Sequence, residues 1–225
     1  MTETPSRTMS PCPICGGTAF RPGPNGRLTS RKLPPVCTTC GSFERHRVGR
    51  SVMEAIRDRE KFHGFRLLML SDEPMVAKGW FASADVNKFG RPGAIDPQAI
   101  DRPDGSYDVI ICCHLLSHVA DHRRALVELM RVLSPQGLLF VSYPSPATRE
   151  ATTDWGQPDP ARHNQYRILG RDFEQEYQKL LPDSFVIAVK AADPVTAEDD
   201  LVYLLTRNFF WTRRATAAGL DSRLI

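Results

Sequence analysis

Two Cys-x-x-Cys pairs, Cys12-Pro-Ile-Cys15 and Cys37-Thr-Thr-Cys40, constrain this chain more than any other feature. Each pair is followed by a glycine, Gly16 and Gly41. The two-residue spacing lets both thiolates of a pair converge on one ion, and two pairs complete a tetrahedral site. All four positions are cysteine, so no coordination position stays open for water. That pattern predicts a structural Zn²⁺ rather than a catalytic one. The competing reading is two chance pairs or a redox dithiol, but a redox dithiol needs no second copy. Cys112 and Cys113 differ: they lie in the apolar run 109–113 and read as small buried hydrophobes.

The chain of 225 residues has room for one large domain and a small appendage. Its apolar runs, such as 67–70 and 109–113, are far shorter than a membrane span, and the N-terminal stretch has no apolar core of the secretory type. The expectation is a cytoplasmic protein with no membrane partner. The net charge of +3 conceals an asymmetry, since residues 1–50 hold eight Lys or Arg against Glu3 and Glu44. A basic front end is suited to a phosphate-bearing or protein partner. The plainer alternative is a solvated face on a module too small to bury much.

Beyond Cys40 the apolar residues Val48, Val52, Ala55 and Ile56 recur at helical spacing and predict a helix over 43–59. Residues 65–70 form a short apolar run suited to a strand buried on both faces. A brief helical stretch is expected at 75–81, with weaker strands at 83–86 and 93–96. The clearest strand is 107–113. Asp121 then caps a helix whose stripe is Leu126, Leu129, Met130 and Leu133. The segment 134–137 stops it, and 138–143 is the next strand. Residues 144–169 show little periodicity, and at that length a lid or binding loop is the expectation. A last helix around Phe173, Tyr177, Leu180 and Leu181 precedes two closing strands at 185–189 and 201–206. Strands alternating with helices predict a parallel sheet covered on both faces, with ligands at the carboxyl ends of the strands. Those ends carry Ser71, Asp72, Glu73, Asp85, Asp96, His114, Pro144 and Ser145.

The stretch from Asp96 to Pro144 resembles the class I S-adenosylmethionine (SAM)-dependent methyltransferases. Asp96 and Asp108 are spaced like that family's adenine-contacting Asp and the Asp that opens its fourth strand. His114-Leu-Leu-Ser-His118-Val-Ala-Asp121 resembles its post-adenine loop, and Arg131-Val-Leu-Ser-Pro-Gln-Gly137 resembles its helix ending. A narrower resemblance, to bacterial methyltransferase-like proteins, rests on Cys37 to Arg47 (CxxCGSxERHR) and on Tyr166-Arg-Ile-Leu-Gly-Arg-Asp-Phe173. The zinc-bearing ribosomal RNA methyltransferases are a looser match. The resemblance implies an α/β chain with a Rossmann-like, seven-stranded doubly wound sheet over 42–225, preceded by a zinc-ribbon-like module over 1–41. It implies SAM as cofactor, contacted by Ser71, Glu73, Asp85, Asp96, Ala99 and His114. One departure stands out: the first turn, 67–74, contains no glycine, and its place is taken by Ser71-Asp-Glu-Pro74.

Methyl transfer is an in-line displacement, so the protein supplies alignment and a place for the acceptor's proton. His114, one residue past the strongest strand, is a pocket wall or a general base. His163, Tyr166 and Arg167 come from the long loop and are placed to close over an acceptor; the plainer alternative is a loop packed on the surface. Trp155 stacks on a substrate or anchors that loop, while His118 and His122 suit a helix start. The expected activity is methyl transfer from SAM to an O or N acceptor, with a small molecule or sugar favoured. A non-catalytic scaffold of the same fold is the first rival, motivated by the glycine-free turn. An RNA methyltransferase or RNA binder is the second, motivated by the basic front end.

Overall fold

The computed structural model describes residues 9–144 and 148–225; Ser145 and the extreme N-terminal charges Glu3 and Arg7 lie outside the described residues. The chain opens with a two-stranded ribbon in which β1 (Phe20–Arg21) pairs antiparallel with β2 (Val36–Cys37). Helix α1 (Glu44–Ile56) follows, burying Val48, Val52 and Ile56 at the spacing the sequence predicts, with Met53 buried beside them and Ala55 exposed. A single turn, α2 (Arg59–Phe62), is capped by Asp58, whose carboxylate accepts from the Lys61 amide.

The main body then alternates β3 (Arg66–Met69), β4 (Ser83–Val86), β5 (Tyr107–Cys113), α3 (His122–Val132) and β6 (Leu133–Ser142). A hairpin, β7 (Thr153–Asp159) with β8 (Gln165–Ile168), precedes α4 (Glu174–Leu180), β9 (Phe185–Ala192), β10 (Asp199–Thr206), α5 (Phe209–Ala217) and β11 (Asp221–Leu224). Seven strands make one sheet in the order β11-β9-β10-β6-β5-β3-β4. Strands β4, β3, β5 and β6 are parallel, whereas β10 runs antiparallel to both of its neighbours and β11 antiparallel to β9. The sheet is therefore mixed rather than wholly parallel.

Alternation along the strands sorts the core into two layers. Leu68, Ile110, Cys112, Leu139, Val141, Ala188 and Tyr203 point to the face covered by α3 and α4. Leu67, Met69, Val109, Ile111, Phe140, Val189 and Leu204 point to the face covered by α1 and α5. Buried on both sides, these strands read as continuous apolar runs, which is why β3 and β5 were visible without alternation.

Several expectations need correction. Residues 93–96 form no strand. Gly90 and Gly93 take left-handed backbone angles (φ 79° and 75°), and the chain coils through two turns. The backbone of Ile95 is satisfied by the Asn87 side chain, whose oxygen accepts from Ile95 N (3.1 Å) and whose amide donates to Ile95 O (3.2 Å). The seventh strand is β11, with α5 before it, and neither was anticipated. Residues 75–81 hold only one 3₁₀ turn at Lys78–Trp80. The stretch 144–169 contains the β7–β8 hairpin instead of an irregular loop. Finally, 134–137 does not separate helix from strand, because α3 passes directly into β6 at Leu133. Gly137 is required there: a Cβ would come within 2.9 Å of the Asp108 carbonyl and 2.7 Å of Leu133.

Candidate functional site

The four cysteines come together at the N-terminus, with all four sulfurs within 4.8 Å of one another. Cys12 and Cys40 are 3.8 Å apart, and Cys15 and Cys37 are 3.6 Å apart. A tetrahedron with Zn–S bonds of about 2.3 Å has edges of about 3.8 Å, so the donor set fits zinc. Local sequence explains the shape. Each knuckle closes with a backbone bond, Gly16 N to Cys12 O (2.8 Å) and Gly41 N to Cys37 O (2.9 Å). Both glycines have φ above 70°, a conformation that costs other residues energy. The buried Ser42 hydroxyl lies 3.4 Å from Cys12 Sγ and 3.2 Å from Cys40 Sγ, an outer contact of the kind that orients metal ligands.

Arg47 locks this module onto the body. Its guanidinium donates to the carbonyls of Pro35 and Ser42 (2.9 Å each) and, as a fork, to both oxygens of Asp193 (2.8 and 2.7 Å). Both side chains of the pair are 0% exposed. Arg27 forms a second fork with Glu44 (2.9 Å twice), and Ser30 Oγ donates to Glu198 (2.6 Å).

Between module and body lies a cleft of about 780 Å³. Its floor is built from the carboxyl ends of β5 and β6, through His114, Tyr143 and Pro144, and from the start of β10, through Asp199 and Asp200. Its walls are the arm Pro24, Arg27–Ser30, the start of α1 at Phe43–Arg45, and His163 from the β7–β8 tip. Of the residues named from sequence, His114 and His163 thus meet in one cleft.

His114 has φ 56°, a left-handed angle uncommon outside glycine. Its Nε2 is shielded from solvent and has no hydrogen-bond partner among the described residues. Burial, reinforced by the Arg45 charge, pushes its pKa down to about 3, so the ring is neutral at physiological pH. A strained residue with an unpaired buried polar atom is a feature that clusters at functional sites. Asp200, opposite in chemistry, has its pKa pushed up to about 7, first by burial and further by Glu44. This acid went unnoticed in the sequence, where it is one of two adjacent acids before a strand.

The cofactor residues expected from sequence lie in separate small networks. Ser71 Oγ donates to Glu73 Oε1 (3.0 Å), and Glu73 Oε2 lies 2.6 Å from His46 Nε2. That approach is bent away from hydrogen-bond geometry, because neither atom finds an aligned partner. Burial opposes ionisation of Glu73, but the His46 contact, the Arg45 charge and Ser71 outweigh it and hold the pKa near about 2. Asp85 accepts from the Tyr107 hydroxyl (2.6 Å) and is exposed. Asp96 is exposed and accepts from Gln98 N and Nε2, and Gln98 in turn receives Asp121 N (2.7 Å), so Asp96 steadies the approach to α3. Ala99 is exposed beside it.

Tyr166 does not line the cleft. Its amide donates to Ser117 O (2.8 Å) and so pins the hairpin to the loop after β5. Arg167, next to it, is buried and donates to Val119 O (2.5 Å), Ala120 O (2.8 Å) and Asp154 (2.7 Å). It shapes the His114-bearing loop from behind. Trp155 stacks under Arg162 (4.8 Å) at the hairpin tip.

Part of this set is chemically suited to SAM. The exposed carboxylate of Asp85 is of the kind that accepts from ribose hydroxyls, whereas the ionised Glu73 is buried against His46.

No curated protein is similar to the chain in sequence. Solved structures similar to this chain include a Thermotoga maritima SAM-dependent methyltransferase described as a possible histamine N-methyltransferase. It is 13% identical, covers 73% of this chain and 91% of its own, and has a TM-score of 0.44. Others are YcgJ of Bacillus subtilis (12% identity, 73% and 99%, TM-score 0.47) and a Burkholderia thailandensis 1,6-didemethyltoxoflavin-N1-methyltransferase (14%, 71% and 76%, 0.47). The model of the methyltransferase domain matches residues 31–179, about two thirds of the chain, and on that match the chain belongs to the class I SAM-dependent methyltransferase family.

Proposed function

We propose that this chain transfers a methyl group from SAM to an O or N atom of a small molecule or sugar held in the cleft beneath the cysteine module. The observation that carries the reading is the juxtaposition, at the carboxyl ends of β5 and β6, of a neutral, unpartnered His114 with a cleft of about 780 Å³. Strand ends of this kind are where α/β sheets bind ligands. When bound, SAM supplies an electrophilic methyl on a sulfonium. Asp85 and Asp96 orient its adenosine half, and the turn holding Ser71 and Glu73 borders its amino-acid half. His114 and His163 border the space left for the acceptor, and Arg167 holds the His114 loop in place. In this reading the zinc is structural and the cysteine module is a wall of the acceptor site.

The basic front end divides between cations turned to the body or cleft and cations left exposed. Of its eight cations, Arg27 and Arg47 are committed to acids, Arg50 donates to Pro74 O and approaches Glu54, and Arg45 faces the cleft. Arg21, Arg31 and Lys32 are exposed, so part of the excess stays outward, and steeply salt-dependent RNA binding would favour the RNA alternative.

Calorimetric titration with SAM and with its demethylated product tests the reading. Weak but measurable binding is expected, falling about ten- to a hundredfold in Asp85→Ala through loss of one charge-assisted contact. No binding of either compound at millimolar concentration would favour the scaffold alternative, whose motivation is the Glu73-filled turn.

A further inference from the structure

The cleft is lined by four acids, Glu44, Glu198, Asp199 and Asp200, against two cations, Arg27 and Arg45. Three of the acids are engaged. Glu44 holds Arg27, Glu198 accepts from Ser30 Oγ and Arg31 N, and Asp199 pairs with Lys190 (3.0 Å). Asp200 has only its own neighbour, with Leu201 N donating to Oδ1 (2.9 Å), and its other oxygen has no partner among the described residues. Strand parity explains its direction: it shares the face of Val202 and Leu204 and so looks toward α1. Arg45, the one cation in the cleft without an acid within ion-pair distance among the described residues, sits over the Phe43 ring (5.1 Å). Asp200 therefore lines the cleft with Oδ2 unfilled among the described residues, and His114, which lines it too, carries an Nε2 with no hydrogen-bond partner among them.

We propose that the methyl acceptor is an amine, its ammonium seated on Asp200 with one N–H directed to His114 Nε2. The proposal rests on the methyl-transfer reading and names the substrate class for it. An ammonium carries enough donors to fill both acceptors, where an alcohol has one and a carboxylate none. It also meets a lining with surplus negative charge.

The chemistry balances. The ammonium gives one proton to the Asp200 carboxylate, leaving a free lone pair on nitrogen. That pair forms the N–C bond while the carbon–sulfur bond of the sulfonium breaks, its electrons staying on sulfur in the demethylated product. The methylated amine leaves as its ammonium, and Asp200 returns its proton to solvent. A base whose pKa is near neutrality is matched to that task. The charged and titratable groups around Asp200 are Glu44 and Arg45 from α1, Glu198 and Asp199 from its own strand entry, Arg27 from the arm, and His114 and His163 across the cleft.

Benzylamine, benzyl alcohol and benzoate differ in head group alone and serve as probes of the full zinc-loaded chain. Binding is followed by the ¹⁵N resonances of the His114 ring. Benzylamine should bind best and shift Nε2, with affinity rising from about pH 6 to 8 as Asp200 ionises. Asp200→Asn should weaken it about ten- to a hundredfold, and Asp200→Glu should restore part of that. Tighter binding of benzoate, a pH-independent affinity, an unchanged Asp200→Asn, or no binding of any probe each overturns the amine assignment. Separate SAM titration distinguishes the two levels. SAM binding without amine preference refutes only the acceptor class, and amine binding without SAM binding refutes methyl transfer.

Discussion

Removing Asp193 leaves the Arg47 guanidinium buried with two carbonyl acceptors and no counter-charge. Breaking one side of a fully buried ion pair costs about 3–5 kcal/mol, because the remaining charge stays desolvated. Exposed pairs such as Lys61–Asp58 (3.9 Å) contribute at most about 1 kcal/mol. For a chain of this size each kcal/mol moves the melting temperature by about 2–4 °C, so Asp193→Ala should lower it by about 6–20 °C. Asp193 also caps its own turn, accepting from Thr196 N (3.0 Å) and Oγ1 (2.6 Å), which places the loss toward the upper end. Urea unfolding followed by circular dichroism measures the change. The double variant Arg47→Met with Asp193→Leu should recover most of the loss, since apolar replacements remove the buried charge altogether. A loss below about 1 kcal/mol, with the m-value unchanged, would refute the claim that this pair holds the cysteine module to the body.

The purified protein should carry one Zn²⁺ per chain on four sulfurs, measurable by elemental analysis and X-ray absorption, and metal-free protein prepared without chelator would contradict this. Cys37→Ser should release that metal and disorder the ribbon while the seven-stranded sheet keeps its far-UV signal, since its two core layers draw no residue from the module. Acid should destabilise the fold through His114. Its folded pKa of about 3 lies below its unfolded value of about 6.5, so the unfolded state takes up the proton first and stability falls as pH drops through that window. His114→Gln should remove up to about 1.4 kcal/mol per pH unit from that slope, and an unchanged slope would show that the ring is not buried neutral. Arg167→Ala strips three carbonyls of the loop 116–120 of their donor and should cost about 2–4 kcal/mol while increasing hydrogen exchange in that loop; exchange confined to the hairpin would refute its role there.

The sulfur cluster, the two-layer core and the segment from Asp96 to Gly137 could be read from the sequence because each depends on local spacing. A knuckle needs two residues between cysteines and a glycine after them. A strand buried on both faces needs an uninterrupted run such as Leu67 to Leu70. A helix such as α3 announces itself through its stripe and through Asp121 at its start. What stayed hidden depends on partners distant in the chain. Residues 93–96 have strand-like composition, yet Asn87 satisfies Ile95, while the polar segment Asp221–Leu224 becomes a strand because β9 offers an open edge. The basic excess of the first fifty residues was countable, but which of its members turn inward was not. Arg47 finds Asp193, 146 positions away, only once α1 and the β9–β10 turn are packed together. Asp200 is the sharpest case. In sequence it is one of two adjacent acids, and only strand parity and the packing of α1 separate it from Asp199. Spacing along a chain encodes contacts a few residues apart, whereas burial, and with it the proton affinity and free valence of a side chain, is set by whatever the fold brings up against it.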